Sequence, residues 1–248
     1  MSNSPLVSYT KLSPNHSGQR THAVDRITPH CVVGQCSVET LGNIFAPTSR
    51  QASCQYGIGV DGRVGMYVEE KNRSWCSSSN ANDQRAITIE CASDATHPYA
   101  FNDVVYAKLI ELCADICKRY GKTKLLWLGD KTKTLNYEPA SNEMVLTVHR
   151  WFANKSCPGD WMYARMGDLA SKVTAKLGGS TGGNDKPVDN QVLYRVQTGA
   201  FANKANADAM LQKVKAAGFD TYMVKVDNLY KIQVGAFSKK ANADAMAA

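Results

Sequence analysis

The sequence has no run of about 18 apolar residues, so no segment is expected to cross a membrane. Its N-terminus lacks a basic region followed by an apolar core, so we predict no signal peptide and synthesis in the cytoplasm. It contains no Cys-x-x-Cys pair, and its eight cysteines lie between residues 31 and 157, so we expect reduced thiols rather than a disulfide scaffold. With 44% hydrophobic and 21% charged residues, the composition excludes wholesale disorder, collagen and coiled coil.

The charge is also unremarkable. The net charge of +7 over 248 residues is shared by both halves of the chain, and there is no basic tail. Nucleic-acid binding usually needs a denser basic stripe, so we predict no nucleic-acid partner. The mild positive balance is typical of many soluble proteins and would also suit an approach to an anionic polymer.

A glycine-rich stretch that ends at Pro187 marks the clearest boundary in the sequence. Beyond it, residues 194–201 are echoed by 230–237, and 205–210 recur identically at 241–246, an offset of 36 residues. Each repeat has the pattern of a strand, a glycine turn and an alanine-rich helix. With a further strand over 221–226 the order is β-α-β-β-α, and a closing strand is missing. We predict a domain over 1–178, a flexible linker over 179–191 and a small α+β domain over 192–248.

The larger domain mixes strands and helices. Two alternating segments flank a glycine turn at residues 61–63, which predicts a hairpin, and the β-branched run 86–91 predicts a strand. Asn102 can cap a helix over 103–120, and a second helix is expected over 161–177. We therefore predict an α/β fold with a central mixed β-sheet flanked by helices.

Three residues have spacing that suggests a metal site. His149 precedes Cys157 by eight positions, and His30 lies far upstream at the start of an apolar run. Two imidazoles and one thiolate can hold zinc with a fourth position open, although a histidine near a cysteine is more often unconnected. Lys155 could stabilise an oxyanion there, and Glu90, which follows a β-branched run, could act as a general base. A lysine or glutamate in such a position is, however, more often a solvent-exposed surface charge.

Four ordered motifs, at residues 24–30, 53–62, 87–90 and 148–159, together resemble the type 2 N-acetylmuramoyl-L-alanine amidases. This fold is shared with peptidoglycan recognition proteins and phage lysozyme-like amidases. The resemblance implies that His30, His149 and Cys157 bind Zn²⁺. It also implies catalytic roles for Glu90 and Lys155.

Departures from the family pattern involve the neighbouring residues. Gln55 stands where histidine is usual, so the role of that position is open. Tyr56 is a candidate counterpart of a substrate-contacting tyrosine, and Trp75 could line a sugar-binding groove. The C-terminal repeat resembles the SPOR domain, whose family binds peptidoglycan glycan strands stripped of stem peptides.

The resemblance implies a zinc-dependent amidase that cuts the bond between N-acetylmuramic acid and L-alanine. Bacterial peptidoglycan would be its partner, without membrane insertion. A phage endolysin, released to the wall through a holin, is the expected setting, with a host autolysin as an alternative. Two further alternatives stay open: a non-catalytic peptidoglycan-binding module, and a structural zinc site closed by a further cysteine such as Cys54.

Overall fold

The computed structural model describes residues 3–178, 194–217, 219, 221–226, 228–237, 244 and 246–247. These residues fall into two compact units, divided between Thr181 and Gly182. The linker predicted over 179–191 and most of the second repeat helix lie outside the described residues. No helix in the described part of the chain has the length and apolar character needed to cross a bilayer.

The first unit contains nine strands and six α-helices among its described residues. The strands are β1 (Val7–Thr10), β2 (His16–Gln19), β3 (Arg26–Cys31), β4 (Tyr56–Ile58), β5 (Val64–Met66), β6 (Asn72–Ser74), β7 (Ala86–Cys91), β8 (Lys124–Leu126) and β9 (Glu143–Leu146). The helices are α1 (Val38–Phe45), α2 (Asn80–Arg85), α3 (Asp103–Arg119), α4 (Lys131–Leu135), α5 (Asp160–Tyr163) and α6 (Met166–Lys176), with 3-10 turns at Thr48–Arg50 and His149–Trp151.

Seven of these strands form the central sheet, in the order β1-β5-β4-β7-β3-β9-β8. The pairs are parallel except for β4 and β5, the antiparallel hairpin that the sequence predicts. Strands β2 and β6 form a separate two-stranded sheet. The predicted α/β fold with a central mixed sheet is thus confirmed.

Residue pattern explains why the centre of this sheet is stable. All six residues of β3 are buried, as expected for a strand covered on both faces. Helix α3 packs its apolar stripe, including Leu109, Leu112 and Ile116, into the main core. Its start is fixed by Asn102, whose side chain accepts a hydrogen bond from the backbone N–H of Val105.

One predicted helix is interrupted. The sequence predicts a continuous helix over 161–177, whereas the structure has two helices there, and the helical conformation is interrupted between α5 and α6. At the break the N–H of Arg165 bonds the carbonyl of Met162, a tight turn that ends the first helix. Met162 and Met166 are both fully buried, so the break lets two consecutive short helices face the same core.

The second unit pairs three antiparallel strands in the order β10-β12-β11, with β10 at Tyr194–Phe201, β11 at Thr221–Val226 and β12 at Leu229–Phe237. Helix α7 (Lys204–Ala216) contacts all three strands. Its Ala207 is buried with Ile232 and Val234 of β12. The predicted order of strand, helix, strand and strand is confirmed for these residues.

Candidate metal centre

Strand register brings two predicted site residues to one face of the central sheet. β3 and β7 are parallel, and His30 lies directly opposite Glu90. Since side chains alternate along a strand, Thr28 and Thr88 point to this same face, whereas Ile27 and Ile89 point to the other. We call the face that carries His30 and Glu90 the polar face.

A group of buried side chains on the polar face is linked by hydrogen bonds. Thr28 Oγ1 and Thr147 Oγ1 lie 2.7 Å apart, and Asn82 donates from its amide nitrogen to Thr28 Oγ1 at 3.1 Å. Gln55 accepts hydrogen bonds from the backbone N–H and the hydroxyl of Thr88, at 3.0 and 2.8 Å. Gln55 is therefore part of this buried polar group. It lies beside Thr88, two residues before Glu90 on β7.

His30, His149 and Cys157 come together at the end of β3. Their donor atoms all lie within 4.8 Å of one another. Cys157 Sγ is 3.3 Å from His30 Nδ1, and the two imidazole centroids are 5.0 Å apart. Zinc bonds of about 2.0 Å to nitrogen and 2.3 Å to sulfur place tetrahedral ligands about 3.3–3.7 Å from one another. The 3.3 Å between Cys157 Sγ and His30 Nδ1 lies within this range, so these two donors are spaced as ligands of one small tetrahedral cation.

The electrostatics of the three donors also suit a cation. Burial, and then the neighbouring His149, lower the pKa of His30, and burial followed by Lys155 lowers the pKa of His149. Both imidazoles are therefore neutral and able to ligate. Burial raises the pKa of the Cys157 thiol, so a bound cation would be needed to ionise it.

Glu90 faces the cluster with an unpaired oxygen. Its Oε2 atom is buried and has no hydrogen-bond partner among the described residues. Burial raises the pKa of this carboxyl group to about 7. Glu90 also belongs to a second group of donors, with His30 and Cys76, whose atoms lie within 4.8 Å of one another. A carboxyl that titrates near neutrality beside a candidate metal centre can accept and return a proton.

The outer ring nitrogens of both histidines contact a single short loop, residues 76–78, which was not predicted from the sequence. Cys76 Sγ is 3.4 Å from His30 Nε2, and Ser78 Oγ is 3.0 Å from His149 Nε2. The contact of Cys76 with Nε2 leaves Nδ1 of His30 for the cluster, where it lies 3.3 Å from Cys157 Sγ. Groups that hold the outer nitrogen of a ligating histidine fix its tautomer and its orientation.

Asp83 holds the loop of residues 76–78 in place through hydrogen bonds. Its buried carboxylate accepts hydrogen bonds from the backbone N–H of Cys76 and Ser77, both at 3.1 Å, and from the Ser77 hydroxyl at 2.6 Å. The next residue, Ser78, has a φ of 61°, in the left-handed region that few non-glycine residues adopt. No local sequence pattern signals this conformation.

The remaining predicted site residues lie further out. Lys155 is exposed, and its positive charge contributes to lowering the pKa of His149. Trp75 is half-buried, and its indole N–H donates to the Ser17 hydroxyl at 2.6 Å. Cys54 is fully buried beside Leu41 and Tyr67 and belongs to neither donor group.

Tyr56 is not brought into the site. It pairs in register with Ile89 and so lies on the face opposite Glu90. It is fully buried, and its hydroxyl donates to Glu70 at 2.5 Å. Glu70 in turn pairs with Arg119 at 2.6 Å. Tyr56 therefore joins a buried polar network beneath the sheet, where a substrate has no access.

Two neutral imidazoles, a thiol and a buried carboxyl at the ends of adjacent parallel strands are typical of metal-dependent hydrolases. Residues 19–160 match the N-acetylmuramoyl-L-alanine amidase family, and the chain belongs to that family. It is accordingly an amidase of peptidoglycan, as the sequence predicts. Residues 190–248 match the SPOR domain.

Several solved structures are similar to parts of the chain. The peptidoglycan binding domain of the B. subtilis cell wall lytic enzyme CwlC is 54% identical, over 22% of this chain and 68% of that one, with a TM-score of 0.21. The amidase LysC from Clostridium intestinale URNW is 17% identical, over 70% and 96% of the two chains, with a TM-score of 0.43. The Ph2119 endolysin from a Thermus scotoductus bacteriophage is 16% identical, over 67% and 91%, with a TM-score of 0.42. No curated protein matches the chain.

Proposed function

We propose that the chain is a zinc-dependent amidase that hydrolyses the bond between N-acetylmuramic acid and L-alanine. The observation that carries this proposal is the convergence of His30, His149 and Cys157, with donor atoms within 4.8 Å of one another. Two nitrogens and one sulfur are a donor set that zinc accepts, and three protein ligands leave one position for water or substrate. The chemistry that zinc supplies when bound is polarisation of the amide carbonyl and activation of water.

Glu90 would move the proton. Its unpaired Oε2 can accept a proton from the attacking water and deliver it to the nitrogen of the leaving L-alanine. A pKa near 7 suits both halves of this transfer, because the group must be ionised to accept the proton and acidic enough to release it. Burial, which raises that pKa, is therefore part of the proposed mechanism.

Lys155 would stabilise the negative charge that develops on the carbonyl oxygen. It is exposed beside His149, and its ammonium group is free to approach a bound substrate. We expect Lys155→Ala to lower kcat by about 100- to 1,000-fold, the typical loss when one such electrostatic donor is removed. Zinc content, measured by elemental analysis, should be unchanged. Lys133→Ala, which removes an exposed lysine of α4, is the matched control and should keep full activity.

Metal removal tests the proposal as a whole. Protein stripped with a chelator should lose hydrolysis of peptidoglycan, and one equivalent of Zn²⁺ per chain should restore it. Cys157→Ser should weaken zinc retention, whereas Cys36→Ser, which changes a half-buried free thiol outside the cluster, should not. Undiminished hydrolysis by metal-free protein would contradict the proposal. Wall binding without cleavage by the zinc-loaded protein would favour the non-catalytic binding module.

We also propose that the second unit holds the enzyme on peptidoglycan, which the match of residues 190–248 to the SPOR domain supports. The full chain should sediment with insoluble peptidoglycan more strongly than a chain that ends at residue 178. Equal sedimentation would contradict this role. The phage origin and holin-assisted release implied by the sequence resemblance stay predictions.

A further inference from the structure

A second group of metal-ligating side chains lies against the candidate metal centre. It consists of His30, Cys76 and Glu90, whose donor atoms all lie within 4.8 Å of one another. An imidazole, a thiol and a carboxyl are each groups that zinc accepts as ligands in proteins. The proposed mechanism uses Glu90 as a base and gives Cys76 no chemical step. Cys76 thus places a second thiol where hydrolysis needs none.

The two groups share His30 but contact different nitrogen atoms of its ring. Cys157 Sγ is 3.3 Å from Nδ1, and Cys76 Sγ is 3.4 Å from Nε2. Both separations fall in the range of about 3.3–3.7 Å expected between tetrahedral zinc ligands. The two ring nitrogens point away from each other, so ions bound at both would lie about 6 Å apart. His30 can therefore bridge two ions without bringing them into contact.

Glu90 offers an oxygen to this second position. The parallel register of β3 and β7 puts Glu90 directly opposite His30. Its Oε2 atom is buried and has no hydrogen-bond partner among the described residues. Buried polar atoms are normally paired, so an unpaired oxygen beside a thiol and an imidazole marks a place where a ligand is expected. A cation at this place would satisfy the oxygen.

The loop that carries Cys76 is held in place before any ion binds. The backbone N–H of Cys76 donates to the Asp83 carboxylate at 3.1 Å, and the Ser77 hydroxyl donates to it at 2.6 Å. Asp83 itself is only 3% exposed. Supporting contacts of this kind orient the ligands of a metal site. The fold thus keeps the Cys76 thiol beside His30.

We propose that His30 Nε2, Cys76 and Glu90 form a second, weaker zinc site whose occupation inhibits the enzyme. This inference rests on the proposed amidase function, because a carboxylate that ligates an ion can no longer accept the proton of the attacking water. The site is the weaker one because a neutral imidazole has only one free lone pair, so Nε2 and the Cys76 thiol must both release protons to solvent. The His30 imidazolate, the thiolates of Cys76 and Cys157, and the Glu90 carboxylate then balance the charge of two divalent cations.

Titration of the metal-free full chain with Cd²⁺ tests the site independently of activity. Cd²⁺ is a thiophilic probe of zinc sites, and each cadmium–thiolate bond adds to an ultraviolet charge-transfer band. The wild type should bind two ions per chain, and the band should rise with each. Cys76→Ser, whose hydroxyl can still contact His30, should bind one ion. Glu90→Gln should bind the second ion about tenfold more weakly. Cys36→Ser, which changes a half-buried thiol outside both donor groups, should bind two.

Hydrolysis of peptidoglycan during a zinc titration tests the inhibition. The activity of the wild type should rise up to one equivalent of Zn²⁺ and then fall by about 100-fold as the second ion engages Glu90, the loss expected when a general base is removed. In Cys76→Ser, the activity reached at one equivalent should persist at higher zinc concentrations. Cys36→Ser should be inhibited in the same way as the wild type.

The outcomes separate this inference from the amidase mechanism. A second thiolate-bound ion that is lost in Cys76→Ser, in a chain that cleaves no peptidoglycan, would support the cation site and contradict the proposed function. One ion per chain, with cleavage intact, would overturn the second site alone. Inhibition by excess zinc that is equal in Cys76→Ser would also overturn it, because the inhibiting ion would then lie elsewhere. If Cys76→Ser fails to fold, the weaker second binding step of Glu90→Gln decides the Cd²⁺ titration.

Discussion

The two faces of strands β3 and β7 are equally close-packed but chemically opposite. On one face Ile27, Ile87 and Ile89 are fully buried against the core that α3 completes. On the other, Thr28 and Thr88 are just as buried, and the same face ends in His30 and Glu90. Burial by itself therefore does not distinguish a structural face from a functional one.

Hydrogen-bond satisfaction does distinguish regions within the polar face. Beneath the site, Thr28, Thr88 and Gln55 have partners at 3.1 Å or less. At the site itself, Glu90 keeps a buried oxygen that has no partner in the part of the chain that the structure describes. Buried polar groups are normally paired, so an exception marks a place where a ligand, water or reacting group is expected. The comparison within the polar face therefore marks the end of β7, where Glu90 lies, as the place where such a group is expected.

The largest expected effect is the loss of kcat when Glu90, on the polar face, is replaced. Glu90→Gln should lower kcat by about 100- to 10,000-fold, because the amide cannot take up the proton. Zinc content should stay the same, since Glu90 is not one of the three proposed ligands. Loss of zinc along with activity would instead assign Glu90 to the metal through its second donor group with His30 and Cys76.

The neighbouring residue tests the apolar face. Ile89→Ala should reduce the free energy of unfolding by about 2–5 kcal/mol, the usual range for truncating a buried aliphatic side chain. Denaturant titration would measure this loss. The kcat of the folded protein should not change, because the side chain points away from the site. A variant that keeps its stability but loses turnover would remove the distinction between the two faces.

Glu90 should also make the stability of the metal-free protein depend on pH. Burial raises its pKa from 4.5 to about 7, so the folded state binds the proton more tightly than the unfolded state. Stability should therefore fall as pH rises between these two values and level off above pH 7. Relative to Glu90→Gln, the wild type should lose about 1–3 kcal/mol over this window. If the free energies of unfolding of the two proteins changed in the same way with pH, Glu90 would not be desolvated in the folded state.

The smallest effect is expected from the loop that supports the histidines. Ser78→Ala should weaken zinc binding by about tenfold, because the outer nitrogen of His149 loses its partner. Chelator competition measures the affinity, and the melting temperature of the metal-free protein should be unaffected. Ser17→Ala removes an exposed hydroxyl that contacts Trp75 and serves as the control. Equal affinities for both variants would leave Ser78 without a positioning role.

Local patterns in the sequence predict much of this molecule. The β-branched run over 86–91 coincides with β7, and Asn102 caps the start of α3 as predicted. Each of these features depends on a few adjacent residues. The ordered motifs predict the triad of His30, His149 and Cys157, and the structure brings its members together.

What the sequence does not predict depends on contacts between distant segments. Cys76 reaches His30 only because Asp83 holds its loop and Ser78 adopts a left-handed conformation. The placement of Tyr56 on the opposite face follows from register with β7, which a single sequence does not define. The burial of Arg26 likewise results from strands that the fold brings together.

Digestion of purified peptidoglycan, followed by identification of the newly formed chemical ends, tests the central claim most directly. The zinc-loaded wild type and the His22→Ala control, which changes an exposed histidine, should release new L-alanine amino termini. His149→Ala should release none, because it removes one of the three proposed zinc ligands. New reducing sugar ends, or L-alanine termini produced equally by His149→Ala, would contradict a zinc amidase centred on this site.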